Sequence, residues 1–344
     1  MATAPVLFYT EGGPHVGFGH LRRCLTLASA LRALGVESLF LVHGGQPAVQ
    51  QVVRAGCQVV AARAHANAAE LVELQRTLGA PAIVVDSYTL PHAYFSALAA
   101  TGARLVVIDD LGGHHPAADL VVNPSIEARR GDYPLQPCGR TAYLLGPRYA
   151  LLRPEFAVPP QRDEAGPVRR VLLTLGGADP HGLTASLLRW VSQALPECAL
   201  DVVIGPFCSQ TAPIEAAARQ HAAVTLHLHP THVRALMLAA DLAITAGGQT
   251  TYELAATGTP AIGIQVAENQ AGNLQGWARR GALLPVGCVT DPDLEFKLRA
   301  ALLALAGDPA RRATMSRRGR ALVDGRGVPR VARAIVHVIR SPAT

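Results

Sequence analysis

The feature that most constrains this chain is a rhythm, in which a short β-branched run, a glycine-rich turn and a helical stretch repeat along most of its length. A parallel sheet requires such alternation, because each strand must be carried back by a covering helix before the next can pair. In the first half the strand-like runs fall at 6–9, 38–43, 82–86, 104–109 and 120–123. Between the first two, Leu21, Leu25, Ala28, Leu31 and Leu34 recur at helical spacing, with Arg22, Arg23 and Arg32 off that stripe and Gly35 closing it. A polar, proline-bearing stretch at 153–170 interrupts the rhythm and reads as a linker. The pattern restarts with runs at 171–175, 200–204, 242–246 and 260–265, followed by arginine-rich helical stretches near 293–305, 310–322 and 330–339.

The expected architecture is α/β, with two Rossmann-like parallel-sheet domains at 1–155 and 169–308 and an arginine-rich helical segment at 309–344. A length of 344 residues suffices for two cores. The ligand site of such a pair is expected in a central cleft, at the carboxyl ends of the strands.

Composition narrows the function class. With 49% apolar and 16% charged residues, disordered, collagenous and coiled-coil chains are excluded. The net charge of +6 is local: from Arg279 onward 13 basic residues face five acidic ones. Lys297 is the only lysine, which points to a composition bias rather than a phosphate-binding surface. Aromatics are 5% and do not interleave with the arginines, so no nucleic-acid stacking platform is present. A weak contact of the C-terminal arginines with an anionic membrane surface stays open. The six cysteines form no C-x-x-C pair, which fits a reducing compartment. The first residues lack the basic and long apolar regions of a signal peptide, and the expectation is a soluble cytoplasmic protein.

Three glycine-rich turns follow strand-like runs. In the first, Gly17, Gly19 and His20 precede the helix that begins near Leu21, where exposed amides favour anions. Arg22 stands where a dinucleotide fingerprint has its third glycine, and no P-loop occurs. A helix start disfavours a cationic imidazole, so His20 suits proton acceptance; it also suits a simple helix cap. The second turn carries Gly176 and Gly177. The third, AGGQTTYE, places Gly247, Gly248, Gln249 and Thr250 at a helix start as a phosphate cradle, with Glu253 one turn in, where it can bond a ribose or close a capping box with Thr250.

Other clusters read as structural. Asp109, Asp110, His114 and His115 fall at a strand end and loop, as do His227, His229 and His232, while Asp291-Pro292-Asp293 reads as a helix start with proline at the first helical position. Neither G-x-S-x-G nor H-E-x-x-H occurs.

The segments GFGHLRRCLTLA at 17–28, VVDSYTL at 84–90, VVIDDLGGHHPAADLVVN at 106–123, GPRYALLRPEF at 146–156, LGGADP at 175–180, AGGQTTYE at 246–253 and AENQAGN at 267–273 together resemble the PseG family of nucleotide-sugar hydrolases and its spore-coat polysaccharide relatives. That family is similar in turn to GT-B glycosyltransferases, such as the enzyme that adds N-acetylglucosamine to lipid II. The resemblance implies removal of UDP from a 2,4-diacetamido-trideoxyhexose by water, with no metal and no cofactor. It implies His20 as general base, Tyr88 lining the sugar site and Glu11 as the carboxylate of the first strand. Gly247, Gly248, Gln249 and Thr250 would hold the diphosphate, Glu253 the ribose, and Asn269 with Gln270 the sugar-phosphate region. Three positions depart from the family pattern: Tyr9 and Glu11 stand for its Arg-x-Asp pair, and Ser87 for a histidine. Glycosyl transfer from a UDP-sugar, and a non-catalytic nucleotide-sugar-binding role, are the alternatives on the same scaffold.

Overall fold

A computed structural model describes residues 4–13, 17–60, 68–91, 93–112, 117–133, 141–162 and 166–341. His114 and His115 lie outside the described residues. The chain forms two compact units, residues 1–154 with 326–344, and residues 155–325. The passage between them falls within the proline-bearing stretch, after Pro154.

The first unit contains strands β1 (Val6–Glu11), β2 (Ser38–His43), β3 (Gln58–Val59), β4 (Ala82–Asp86), β5 (Arg104–Ile108), β6 (Leu120–Asn123) and β7 (Ala142–Leu145), with helices α1 (Gly19–Ala33), α2 (Gly45–Arg54), α3 (Ala68–Leu78) and α4 (Ala93–Ala99). Its sheet runs β3-β2-β1-β4-β5-β6-β7, parallel throughout. The second unit contains β8 (Arg170–Thr174), β9 (Ala199–Ile204), β10 (Val224–Leu228), β11 (Leu242–Ala246), β12 (Ala261–Gln265) and β13 (Leu283–Cys288), with helices α5 (Leu183–Ala194), α6 (Thr211–Ala218), α7 (Val233–Ala239), α8 (Thr250–Thr257), α9 (Ala271–Arg279), α10 (Leu294–Ala306) and α11 (Pro309–Leu322). Its sheet runs β10-β9-β8-β11-β12-β13, also parallel. In both sheets the winding reverses beside the first strand of the unit, between β1 and β4 and between β8 and β11. Neighbouring loops splay apart at such a reversal, which leaves a crevice at the carboxyl ends of the strands.

Burial explains why the central strands are legible. β1 and β4 are buried along their whole length, as are β6 and β11, and strands covered on both faces read as continuous apolar runs. The strands absent from the strand-like runs of the sequence reading, β3, β7, β10 and β13, are all sheet edges. β3 has two residues, and β13 carries Pro285 and Gly287 where its register shifts; edges tolerate both residues because one side of the ladder is unpaired.

Three expectations are corrected here. The segment at 309–344 is not one piece: α11 belongs to the second unit, while helix α12 (Gly327–Arg340) belongs to the first. Gly319 of α11 rests on Ala255 of α8, whereas Arg330 of α12 donates to the Arg148 carbonyl at 3.0 Å. Asp291-Pro292-Asp293 does not put proline in the first turn, because Asp293 is the N-cap of α10 and Asp291 pairs with Lys297 at 2.6 Å. Finally, Arg23 lies on the buried face of α1 with Cys24, Leu27 and Leu31, leaving Arg22 and Arg32 outside. The C-terminal arginines also serve the fold: buried Arg312 donates to the Leu305 and Ala306 carbonyls at the end of α10, at 2.6 and 2.9 Å. Among the described residues no helix is long and apolar enough to cross a membrane.

Candidate active site

At the winding reversal of the first unit, the ends of β1, β4 and β5 deliver charged side chains to one spot. β4 ends in Asp86, which is fully buried. A carboxylate in such a place must be paired. Arg23 supplies the pairing in a two-pronged fork, Nε to Oδ2 at 2.6 Å and Nη2 to Oδ1 at 2.5 Å. Its remaining Nη1 donates to Asp110 Oδ2 at 2.7 Å. Asp86 Oδ1 also meets His20 Nδ1 at 2.6 Å. Burial alone would raise the Asp86 carboxyl, yet the Arg23 charge and the hydrogen bonds from Arg23 and His20 hold it well below the ordinary carboxylate range. The Arg23 guanidinium, which burial disfavours, is held cationic by Asp110 and Asp86.

This pairing decides what His20 offers. A carboxylate only accepts, so at 2.6 Å from Asp86 the proton is assigned to His20 Nδ1, which Arg23 Nη2 also approaches at 3.2 Å, and the lone pair to Nε2. His20 is the second residue of α1, whose N-cap is Phe18 with no side-chain cap hydrogen bond, so His20 is not the cap. Gly17, at φ +71°, turns the chain into the helix and exchanges two backbone hydrogen bonds with Gly13, at 2.8 and 2.9 Å. Gly19 then opens α1 with open space where a side chain would stand. Cys24, buried against Asp86, has its thiol pushed up by burial and by that carboxylate, which keeps it a thiol.

Tyr88 crosses the His20 ring edge-on, with centroids 4.3 Å apart and an interplanar angle of 87°. The turn that carries it is tied to β1. Glu11 is 2% exposed, and its Oε1 accepts hydrogen bonds from the Ser87 hydroxyl and from the Thr89 amide and hydroxyl at 3.0 and 2.9 Å. Glu11 therefore holds a turn, and Ser87 is its partner.

The reversal of the second unit is built largely from backbone groups and side-chain amides, with the Asp179 carboxylate accepting from the Leu183 and Thr184 amides at 2.9 and 2.8 Å. Gly176 turns at φ +92° after β8, and Gly177 accepts from the Phe207 amide at 2.9 Å. After β11 come Gly247 and Gly248, then α8, in which the Thr251 and Tyr252 amides donate to the Gly248 and Gln249 carbonyls at 3.1 and 3.0 Å. A Cβ on Gly247 would meet Leu274 at 2.7 Å, which is why glycine stands there. Gln270 Oε1 accepts from the Gly247 and Val266 amides at 3.1 and 3.0 Å, stapling the β11 turn to the β12 turn. Asn273 adds a second staple, donating to the Gly247 carbonyl at 2.7 Å while accepting from the Tyr252 hydroxyl at 2.9 Å. The Gly247 amide is thus engaged by Gln270, and Gly248, Gln249 and Thr250 lead into the helix. Glu253 lies half-buried in the first turn and no capping box with Thr250 forms, because Gln249 occupies the N-cap. Asn269 is exposed in the short helical turn Glu268–Gln270.

No protein-family model matches the chain. An uncharacterized protein of Methanocaldococcus jannaschii is 22% identical over 268 residues, 75% of this chain and 54% of the relative. The spore coat polysaccharide biosynthesis protein SpsG of Bacillus subtilis is 25% identical over 338 residues, 94% of this chain and 95% of the relative. A Helicobacter pylori protein described as pseudaminic acid cytidylyltransferase and UDP-2,4-diacetamido-2,4,6-trideoxy-beta-L-altropyranose hydrolase is 26% identical over 258 residues, 74% of this chain and 43% of the relative. The chain is PseG-like. It spans about half the length, 54% and 43%, of two of these relatives. Among solved structures, Acinetobacter baumannii MurG superposes with a TM-score of 0.71 at 15% identity, covering 97% of this chain and 99% of that one. The calicheamicin glycosyltransferase CalG4 gives 0.65 at 16% identity, covering 99% of each. The fold of the PseG-like chain is accordingly two parallel-sheet α/β domains of the GT-B type.

Sequence reading of the PseG-like chain missed Asp86, Arg23 and Asp110 as companions of His20, and Gln270 and Asn273 as staples. One signal was available. Arg23 is three residues after His20 and eight before Leu31, so an arginine stood on the apolar side of α1, where it needs a buried anion.

Proposed function

We propose that this chain hydrolyses a UDP-linked diacetamido-trideoxyhexose, releasing UDP and the free sugar by attack of a His20-activated water at the anomeric carbon, without a metal ion. The observation that carries the reading is the pairing of His20 Nδ1 with Asp86 at 2.6 Å. It leaves Nε2 as proton acceptor, and the buried Arg23 fork fixes the carboxylate that orients the ring. The water oxygen bonds to the anomeric carbon, its proton passes to Nε2, and the bond to the diphosphate breaks with the electron pair leaving on UDP. The start of α8 suits that anion through Gly248, Gln249 and Thr250, with Glu253 for the ribose and Asn269 near the sugar phosphate. The printed activity of the Helicobacter pylori relative supports the choice of sugar class.

The test is mass spectrometry of products from a panel of UDP-linked acetamido sugars, with a chelator and without any acceptor. UDP and free sugar should appear, and His20→Ala should lower the rate by roughly 10²- to 10⁴-fold. A strict requirement for a hydroxyl acceptor would replace hydrolysis with glycosyl transfer. Turnover no faster than in His20→Ala would leave only a nucleotide-sugar-binding role.

A further inference from the structure

We propose that Tyr88 selects the acceptor: clamped over His20 from the end of β1, it admits a water-sized nucleophile to the imidazole and turns larger alcohols away. This rests on the hydrolytic reading above and adds to it the choice between water and a hydroxyl. The starting point is a contrast in exposure between two touching rings. His20 is 6% exposed, whereas Tyr88, lying edge-on at 4.3 Å, is 43% exposed. A ring this open is not fixed by core packing. It is held by its hydroxyl, which hydrogen-bonds the Asp110 side chain, and by its turn, since both neighbours of Tyr88 are bound to one carboxylate: Ser87 and Thr89 each donate to Glu11 Oε1. The Ser87 hydroxyl also accepts from the Leu90 amide at 3.0 Å, which closes the turn on itself. Glu11 is buried at the carboxyl end of β1, 76 residues from Ser87. The anchor is therefore part of the sheet rather than of the loop.

The groups facing His20 leave Tyr88 a steric task. Asp86 and Arg23 are committed to each other, Asp110 binds Arg23 through Oδ2 and sits beside the Tyr88 hydroxyl, and Cys24 is a buried thiol. The Tyr88 phenol is pushed well above its ordinary range by burial of the hydroxyl and by the Asp110 carboxylate, so it stays protonated and supplies no second base. In hydrolysis the oxygen of water bonds to the anomeric carbon, the bond to the diphosphate breaks, and the proton goes to His20. With an alcohol the same bonds form and break, and an alkyl glycoside replaces the free sugar. The product ratio therefore reads access to the base separately from its strength.

Two measurements decide the proposal. The UDP-linked acetamido sugar that the wild type turns over is incubated with Tyr88→Ala in the presence of methanol or glycerol, and alkyl glycoside is compared with free sugar by mass spectrometry. The glycoside-to-sugar ratio should rise about tenfold or more, a difference of about 1.4 kcal/mol between the two barriers. Tyr88→Phe, which keeps the ring, should keep the wild-type ratio. An unchanged ratio in a Tyr88→Ala variant that still turns over overturns the proposal and leaves hydrolysis standing. If the wild type turns over no UDP-sugar, the hydrolytic reading fails, and carbethoxylation of His20 by diethyl pyrocarbonate, followed on its peptide, tests the shielding without substrate. Modification should be about tenfold faster in Tyr88→Ala, which is the same energetic step, and faster also in Ser87→Ala, where the clamp is cut. Equal rates in wild type and Tyr88→Ala overturn the proposal.

Discussion

The two units wind their sheets in the same order, and each reverses beside its first strand, yet they fill that reversal with opposite chemistry. In the first unit it holds Glu11, His20, Arg23, Asp86 and Asp110, charged or proton-bearing groups locked in pairs away from water. In the second it holds glycines, a helix start and the side-chain amides of Gln270 and Asn273, which staple one turn to the next; the buried Asp179 carboxylate there accepts from the Leu183 and Thr184 amides, and Glu253 lies in the first turn of α8. Topology makes the crevice in both cases; side chains decide what it can do. Paired charges in a low dielectric can hold a base in one tautomer, whereas backbone amides at a helix start favour an anion without needing a charge of their own.

The contrast is broken most severely at Arg23. Arg23→Met leaves Asp86 buried without its cation, and should cost roughly 3–5 kcal/mol in urea denaturation. Should the loss be within error of the wild type, the buried network is not the keystone of the first unit. Asp86→Asn keeps the shape but removes the charge and turns one acceptor oxygen into an amide donor, so the His20 tautomer is no longer set, and kcat should fall by roughly 10²- to 10⁴-fold while UDP affinity stays near wild type. A matching loss of UDP affinity would mean that the division between the units is wrong.

The same carboxylate sets a pH dependence. Its folded value lies below its unfolded value of ~3.9, so the stability it contributes is complete above that value and is lost as pH falls through the lower, folded one. Acid denaturation of the wild type should steepen below about pH 4, and the curve of Asp86→Asn should be flatter there. Parallel curves would remove Asp86 from the account.

In the second unit Gln270→Ala frees two amides. At about 1 kcal/mol for each hydrogen bond, roughly 2 kcal/mol should be lost, with weaker UDP binding by calorimetry. Wild-type UDP affinity in that variant would show that the staple does not shape the cradle. The smallest effect is expected at Gly17, where φ is +71° and a Cβ meets nothing; Gly17→Ala should cost only the left-handed penalty of about 1–2 kcal/mol in thermal or urea unfolding. A loss well above that would indicate a ligand or chain segment in close approach to this glycine.

How much of this was legible depends on distance along the chain. The buried central strands and the amphipathic helices follow from residues a few positions apart, and their positions could be read directly. Edge strands β3 and β7 could not, since half-exposed ladders carry little apolar signal. His20, Tyr88 and the AGGQTTYE turn stood out because glycine turns before helices are local patterns. Their partners did not. His20 meets Asp86 across 66 residues and Gly247 meets Gln270 across 23. Glu11 and Ser87, two of the three positions that differ from the family pattern, proved to be partners of one another across 76 residues.

The sequence by itself determined the alternation of strand, turn and helix, and with it the class of fold, because burial on two faces and helical periodicity are written in neighbouring residues. It also determined where helix starts follow glycine turns. Only the tertiary structure decided which side chain carries a proton and which merely holds a turn. That choice depends on pairing in a low-dielectric crevice: the strand order sets β1 beside β4, and this brings Asp86 to His20 and Ser87 to Glu11. Nothing in the spacing of these residues along the chain encodes that adjacency.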